Sequence, residues 1–213
     1  MESLSVESVF DDFVGGFGGE RVDGLITQPN PPKNADYLFR EHNVIAELKC
    51  LTKDSFGPDY HRKMKELTDE WLRRRWIVVF GNVNLDLRKL PPVCQEQWLR
   101  VIEKPLRKTT VEAANKQIRD TKKSLDIPRA KGLLLLASDG NQSLQPYDVL
   151  YFINRTFQKR TAAGDSQFSS IHGVCYFSLN MQVNNQGMGF RPFFGAEDQE
   201  IRLTLPYGNS VTI

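Results

Sequence analysis

Asn34-Ala35-Asp36-Tyr37-Leu38-Phe39-Arg40-Glu41-His42-Asn43-Val44-Ile45-Ala46-Glu47-Leu48-Lys49 reads as two strands joined by a tight turn. Ala35 to Arg40 and Val44 to Leu51 are rich in β-formers, and the polar Glu41-His42-Asn43 between them suits a turn. A two-residue loop, Glu41-His42, pairs Arg40 with Asn43 and sets Asp36 opposite Glu47. Cross-strand partners share a face and side chains alternate, so Asp36, Glu47 and Lys49 then point the same way. A three-residue turn would send Asp36 to the other side.

Val44, Ile45, Ala46 and Leu48 mark the second strand as buried. Two carboxylates and an ammonium there are expensive unless they are paired or bind an ion. A divalent cation between Asp36 and Glu47 would relieve their repulsion, and hard oxygen ligands suit magnesium or manganese. Lys49 could then orient a water or offset charge on an attacked phosphate. The competing reading is a surface hairpin carrying a cross-strand Asp–Lys pair. A Glu-x-Lys triplet alone is expected about once by chance in a chain of this length. Asp120-Thr121-Lys122 is a similar triplet, in a helical context. The information therefore lies in the combination of apolar strand, upstream Asp, parity and downstream helix.

Asp36 followed, after ten residues, by Glu47-Leu48-Lys49 at the end of a hydrophobic strand resembles the PD-(D/E)XK signature of the restriction-endonuclease-like nucleases. Ala35 stands where the family name has proline, a position that varies in the family. The resemblance covers roughly the first two-thirds of the chain, in the order of elements. It implies an α/β fold with a central mixed β-sheet flanked by helices, and metal-dependent hydrolysis of phosphodiester bonds. It further implies Mg2+ or Mn2+ held by Asp36, Glu47 and the Leu48 backbone carbonyl, with Lys49 assisting the water. A first-helix acid often supports the metal, which makes Glu7 a candidate against the plainer reading of a solvated Glu. A Gln or basic residue on a later helix often orders the site. Gln117 fits that place, with Lys116 as its neighbour, against the plainer reading of a surface Gln.

The resemblance implies a nucleic-acid partner, DNA ahead of RNA, and the charge distribution suits one. Net charge is only +2, yet residues 1–60 hold 5 basic against 11 acidic groups and residues 100–131 hold 10 against 4. An acidic metal-holding end beside a basic segment suits a polyanion. Solvated helix faces would explain the same charges. Lys116, Arg119 and Lys123 form a basic strip beside the buried stripe Val111, Ala114, Ile118 and Leu125. Cys50, Cys94 and Cys175 lack zinc spacing and read as reduced thiols, which fits a cytoplasmic protein. No apolar run is long enough to span a membrane, and no secretion signal is visible.

The remaining elements follow from periodicity. Ser5 to Val14 reads as a helix with Val6, Val9, Phe10 and Phe13 inward, stopped by Gly15-Gly16-Phe17-Gly18-Gly19. Val22 to Thr27 reads as a first strand. Tyr60 to Arg75 reads as a helix with Met64, Leu67, Trp71 and Leu72 inward, followed by a strand at Trp76 to Phe80. Cys94 to Lys104 is a short helix. Thr109-Thr110-Val111-Glu112 is a capping box that starts another, running to about Leu125. Gly132 to Ala137 is a buried strand. Gln145 to Lys159 is a helix, and Ile171 to Leu179 and Ile201 to Leu205 are strands. The chain thus reads as one nuclease-like domain over 1–213 with a C-terminal β appendage at about 171–213. Phe190, Phe193 and Phe194 in that region would pack on the core, form a homodimer contact or stack on bases. A catalytically inactive nuclease-fold subunit that binds nucleic acid or serves assembly is the alternative function.

Overall fold

The hydrophobic run Lys131–Ser138 forms a strand buried on both sides, and the main sheet is assembled around it. A computed structural model describes residues 5–26, 33–52, 57–81, 85–138 and 146–178, with the backbone of 202–204 and 210–212. In chain order it holds α1 (Val6–Gly16), β1 (Glu20–Arg21), β2 (Tyr37–Phe39), β3 (Val44–Leu51) and α2 (Pro58–Arg73). Then come α3 (Pro92–Pro105), a π-helical stretch (Leu106–Glu112), α4 (Ala113–Ser124), β4 (Lys131–Ser138), α5 (Pro146–Phe157) and β5 (Gly173–Ser178). The sheet order is β1-β2-β3-β4-β5. The first three strands are antiparallel neighbours, whereas β3, β4 and β5 run parallel. The result is a mixed α/β architecture with a five-stranded sheet.

Alternation in β4 divides the core. Leu134 faces Ile45, Ile118 and Val111, and Leu136 faces Leu106 and the α5 residues Val149, Phe152 and Ile153. Leu135 and Ala137 face the other way, with Ala46, Leu48, Tyr37 and the α1 residues Val6 and Val14. So α1 covers one face and α4 with α5 covers the other. A parallel strand enclosed on both faces needs this continuous apolar composition. A separate cluster around Trp71, Leu90 and Cys94 joins α2 to α3. Among the described residues no helix is long and apolar enough to cross a membrane.

Gly132 marks the closest approach of backbone to the sheet. A Cβ built there lies 2.0 Å from the Ser170 carbonyl oxygen and 2.8 Å from Ile118 Cγ2. The same residue exchanges bonds with His172, whose N–H reaches the Gly132 carbonyl at 2.7 Å. Backbone cannot retreat as a flexible side chain can. Gly132→Ala is therefore expected to lower stability by about 1–3 kcal/mol or more, read from denaturant unfolding.

Several elements depart from the pattern in the sequence. Val22–Gly24 is a 3₁₀ turn, and the strand before it is only Glu20–Arg21. Val22 nevertheless stays in the core, as the turn folds it inward. In α1 the buried residues are Val6 and Val14, with Phe10 half-buried, while Val9 and Phe13 are exposed. The helix rests on its i, i+4, i+8 line against Tyr37, Ala46, Leu48, Leu135 and Ala137 of the sheet. Leu72 is likewise exposed, and only Trp71 of α2 is fully buried.

Trp76 to Phe80 forms no strand: Val78 and Phe80 are 72% and 86% exposed. A short apolar run carries no periodicity to separate strand from loop, and here Trp76 and Ile77 pack beside Trp71 instead. The Arg73-Arg74-Arg75 triplet closes α2 as the helix dipole favours: Arg74 pairs with Glu70 at 2.6 Å and lies over Trp76. The capping box does not start a helix. The chain stays helical from Pro92 through the π stretch to Ser124. The Thr109 hydroxyl donates back to the Pro105 carbonyl at 2.8 Å, and Glu112 accepts from Arg107. Pro105 lacks an amide hydrogen, and a wider helical register follows it.

The region expected as an appendage divides. Gly173–Ser178 is β5 of the main sheet. The chain separates into compact units Met1–Met181 and Gln182–Ile213, and the second holds an antiparallel pair, β6 (Arg202–Thr204) and β7 (Ser210–Thr212). Phe190, Phe193 and Phe194 lie outside the described residues. The described cysteines form no disulfide; Cys94 is buried, whereas Cys175 is exposed.

Candidate active site

The hairpin register is the one that a two-residue loop demands. Tyr37 pairs with Ala46 and Phe39 with Val44, and Asn43 N–H donates to the Arg40 carbonyl at 3.1 Å. Asn43 adopts φ 52°, a left-handed conformation that asparagine tolerates. Carried one step past Tyr37, this register places Asp36 beside Glu47. There β2 ends while β3 continues, so the β3 edge opens. The Asp36 carboxylate fills the gap left by the missing strand by accepting the Leu48 N–H at 2.8 Å.

Buried groups pin the segment before β2. Gln117 Nε2 donates to the Asn34 carbonyl at 2.8 Å. The Ala35 N–H donates to Thr121 Oγ1 at 2.8 Å, and the Val22 N–H donates to the Asp36 carbonyl at 2.9 Å. Gln117 and Thr121 are one turn apart on α4, and both are buried. They replace the ladder bonds that the chain loses on leaving the sheet, as buried backbone groups require.

Lys49 Nζ donates to Glu47 and, at 2.8 Å, to Gln117 Oε1. Gln117 thus ties the ammonium to the Asn34 backbone through its two amide ends. Glu47 is 1% exposed, and its Oε2 is buried with no hydrogen-bond partner. Burial, and then the negative charge of Asp36, push the Glu47 carboxyl up to about 8. Burial also raises Asp36, against the pull of the Leu48 N–H and Lys49. Two raised carboxyls around an orphaned oxygen form an oxygen-rich site short of positive charge.

These side chains open into a cleft of about 330 Å3. Glu7 stands exposed at its edge on α1, and Leu48 lines it too. Arg21, Asp23 and Lys33 complete the rim. Tyr37 donates to Asp11 at 3.0 Å, and Arg21 Nη1 donates to the same carboxylate at 2.7 Å. Burial and the Asp11 acceptor raise the Tyr37 phenol, which stays neutral.

Asp36, Glu47, Lys49 and Gln117, read from the sequence as one site, are brought together. Glu7 shares the cleft, but among the described residues no three His, Cys, Asp or Glu side chains group as a metal cage. Lys116, Arg119 and Lys123 are exposed on α4, off the buried face that carries Gln117. Thr121, Asn34 and the Tyr37–Asp11–Arg21 chain were not singled out as site residues. Thr121 had a legible signal: a second polar residue, four after Gln117, on an apolar stripe.

The donor set fits a hard divalent cation. It offers two carboxylates near enough to share a proton, one with a buried oxygen that receives no donor among the described residues, and oxygen ligands are what Mg2+ and Mn2+ take. Without a cation, Glu47 makes stability fall with pH. The unfolded chain releases this proton near 4.5, but the folded chain holds it to about 8. The folded state thus binds more protons between those values, and the stabilisation present below the lower one is lost as pH rises through the upper. Denaturant unfolding in chelator is expected to show a decline of a few kcal/mol from about pH 5 to 9, which millimolar Mg2+ flattens. A flat profile in chelator would contradict the buried, proton-holding Glu47.

The chain matches no family model, no curated protein and no solved structure.

Proposed function

We propose that the protein is a metal-dependent nuclease of the PD-(D/E)XK type, with DNA the favoured substrate over RNA. The observation that carries this reading is the convergence of Asp36, Glu47 and Lys49 on one cleft, with Glu47 Oε2 buried and unsatisfied. Asp36 and Glu47 are the residues that would hold Mg2+ or Mn2+, with the Leu48 carbonyl as a further oxygen; Glu7 is a candidate at the rim. When bound, such an ion supplies Lewis-acid chemistry, lowering the pKa of water and neutralising phosphate charge.

The other roles belong to the chain itself. Lys49 offers its ammonium to the attacking water or to charge that develops on the phosphate. Gln117, tied to the Asn34 backbone, limits the positions that ammonium can take. Such a restraint supplies preorganisation, because the donor is already placed when charge appears. Lys116, Arg119 and Lys123 would meet the phosphate backbone along exposed α4.

The direct Lys49–Glu47 contact favours a second reading, in which the acid is already neutralised and the fold serves binding or assembly without cleavage. Incubating the purified protein with supercoiled plasmid, single-stranded DNA and RNA in Mg2+, Mn2+ or chelator separates the two. The nuclease reading expects metal-dependent cleavage that Lys49→Ala removes. Unchanged substrates in both metals, from a folded protein that still binds the strand, would favour the second.

A further inference from the structure

Helices α2, α3 and α5 enclose a second cleft, of about 620 Å3, whose lining shares no residue with the first. Its lining is charged with one dominant sign. From α3 and the π stretch come Arg100, Lys104 and Arg107; α5 supplies Arg155, Lys159 follows two residues past its end, and α2 adds Lys63. Against these six cations stand two lining carboxylates, Glu96 and Glu103.

The two acids hold the cations in place without balancing them. Glu103, whose side chain is 3% exposed, accepts from Arg155 Nε at 2.9 Å and from Lys159. Glu96 accepts from Arg100 at 2.9 Å and from Arg155. Glu112, outside the lining, holds Arg107. Among the described residues neither Lys63 nor Lys104 is in an ion pair. A network that served folding alone would tend towards neutrality, because surplus like charge in a concave place repels itself. Here positive charge exceeds negative even with Glu112 counted.

The cations also form lines. Arg100, Lys104 and Arg107 recur every three or four residues on one helical face and extend over roughly 10 Å at 1.5 Å per residue. Arg155, on the last turn of α5, and Lys159, just past its end, both reach Glu103 and face that row. A single phosphate would need donors converging on a point, whereas rows suit consecutive phosphates. Among the described residues no aromatic side chain lines the cleft to offer a surface on which to stack a base.

We propose that this cleft binds the backbone of a single nucleic-acid strand, reading phosphates and not bases. The proposal shares only its nucleic-acid partner with the function proposed above. It is tested in chelator, so a protein that cuts nothing can satisfy it and one that cuts can fail it.

The experiment measures fluorescence anisotropy of a short labelled oligothymidylate on the full chain in chelator. An abasic strand of equal length and tripolyphosphate serve as competitors. For about four phosphates met, log affinity should fall with log salt at a slope of about −3. Lys63→Glu/Lys104→Glu should weaken binding tenfold or more and reduce that slope by about 1.4. Lys63→Gln/Lys104→Gln, a milder change at the same positions, should give a smaller loss with an unaltered melting curve. The abasic strand should compete as well as the oligothymidylate. Wild-type affinity in both double variants would overturn the proposal, as would failure of the abasic strand to compete. Tighter binding of tripolyphosphate than of the strand would overturn it too, by making the cleft a small-anion site.

Discussion

Glu47→Gln is expected to make the metal-free protein more stable at pH 8 and to remove its divalent-cation binding. The two effects have one cause. Asp36, Glu47 and Lys49 together carry a formal charge of −1 in a largely buried place, and Glu47 is held well above its ordinary range by burial and by Asp36. The amide has the same shape, keeps an oxygen that accepts from Lys49, and leaves Asp36 and Lys49 as a balanced pair. Removing the group whose proton the fold holds is expected to add a few kcal/mol near pH 8 and under about 1 kcal/mol near pH 5, just above the unfolded group's ordinary value. Affinity for Mn2+ should fall by a factor at least at the upper end of the 10–100-fold seen when outer-shell groups are lost, since here a ligand itself is removed. Chemical unfolding at the two pH values and Mn2+ titration read the two halves separately. A substitution that raises stability while it removes binding marks a site strained for function. Equal destabilisation at both pH values would show that Glu47 is an ordinary packing and pairing group.

Lys49→Met separates cleavage from cation binding. Methionine retains an unbranched apolar chain but no charge. Both carboxylates remain, so Mn2+ should still bind. Without the ammonium, Gln117 Oε1 loses its 2.8 Å donor, and the positive charge in contact with Glu47 is gone. Loss of one preorganised donor is worth about 10²–10³ in rate, and cleavage should fall by that factor or more. Lys49→Arg should recover little of it. The planar guanidinium cannot place one compact charge between Glu47 and Gln117. Single-turnover cleavage at saturating Mn2+ measures this, and a rate within threefold of wild type would remove Lys49 from the proposed role.

The centre of this site was legible because strand parity is strict. Once Glu41 and His42 make the turn, Asp36 must fall beside Glu47, and Lys49 must follow Glu47 on the same face. Gln117 was found by another route: it lies at the edge of a buried helical stripe, at the place where the resemblance expects a Gln or basic residue. What stayed hidden depends on contacts between distant parts of the chain. The sequence does not say that β2 begins only at Tyr37, so it does not show why Asp36 accepts the Leu48 N–H. That α1 buries Val6 and Val14 and leaves Val9 and Phe13 exposed is decided by which of its faces meets the sheet. Val78 and Phe80 looked like strand residues because apolar composition alone does not distinguish a ladder from a loop. The basic cleft joins Lys63, Arg100 and Lys104 to Arg155 and Lys159 only through the packing of three helices.

The most direct test of the central claim is calorimetric titration of the metal-free protein with Mn2+, with Asp36→Asn alongside it. The two carboxylates acting together predict saturable binding to the wild-type chain, proton release on binding near pH 7 as Glu47 ionises, and loss of both signals in the variant. Absence of binding to the folded wild-type protein, or binding indifferent to Asp36→Asn, would contradict it.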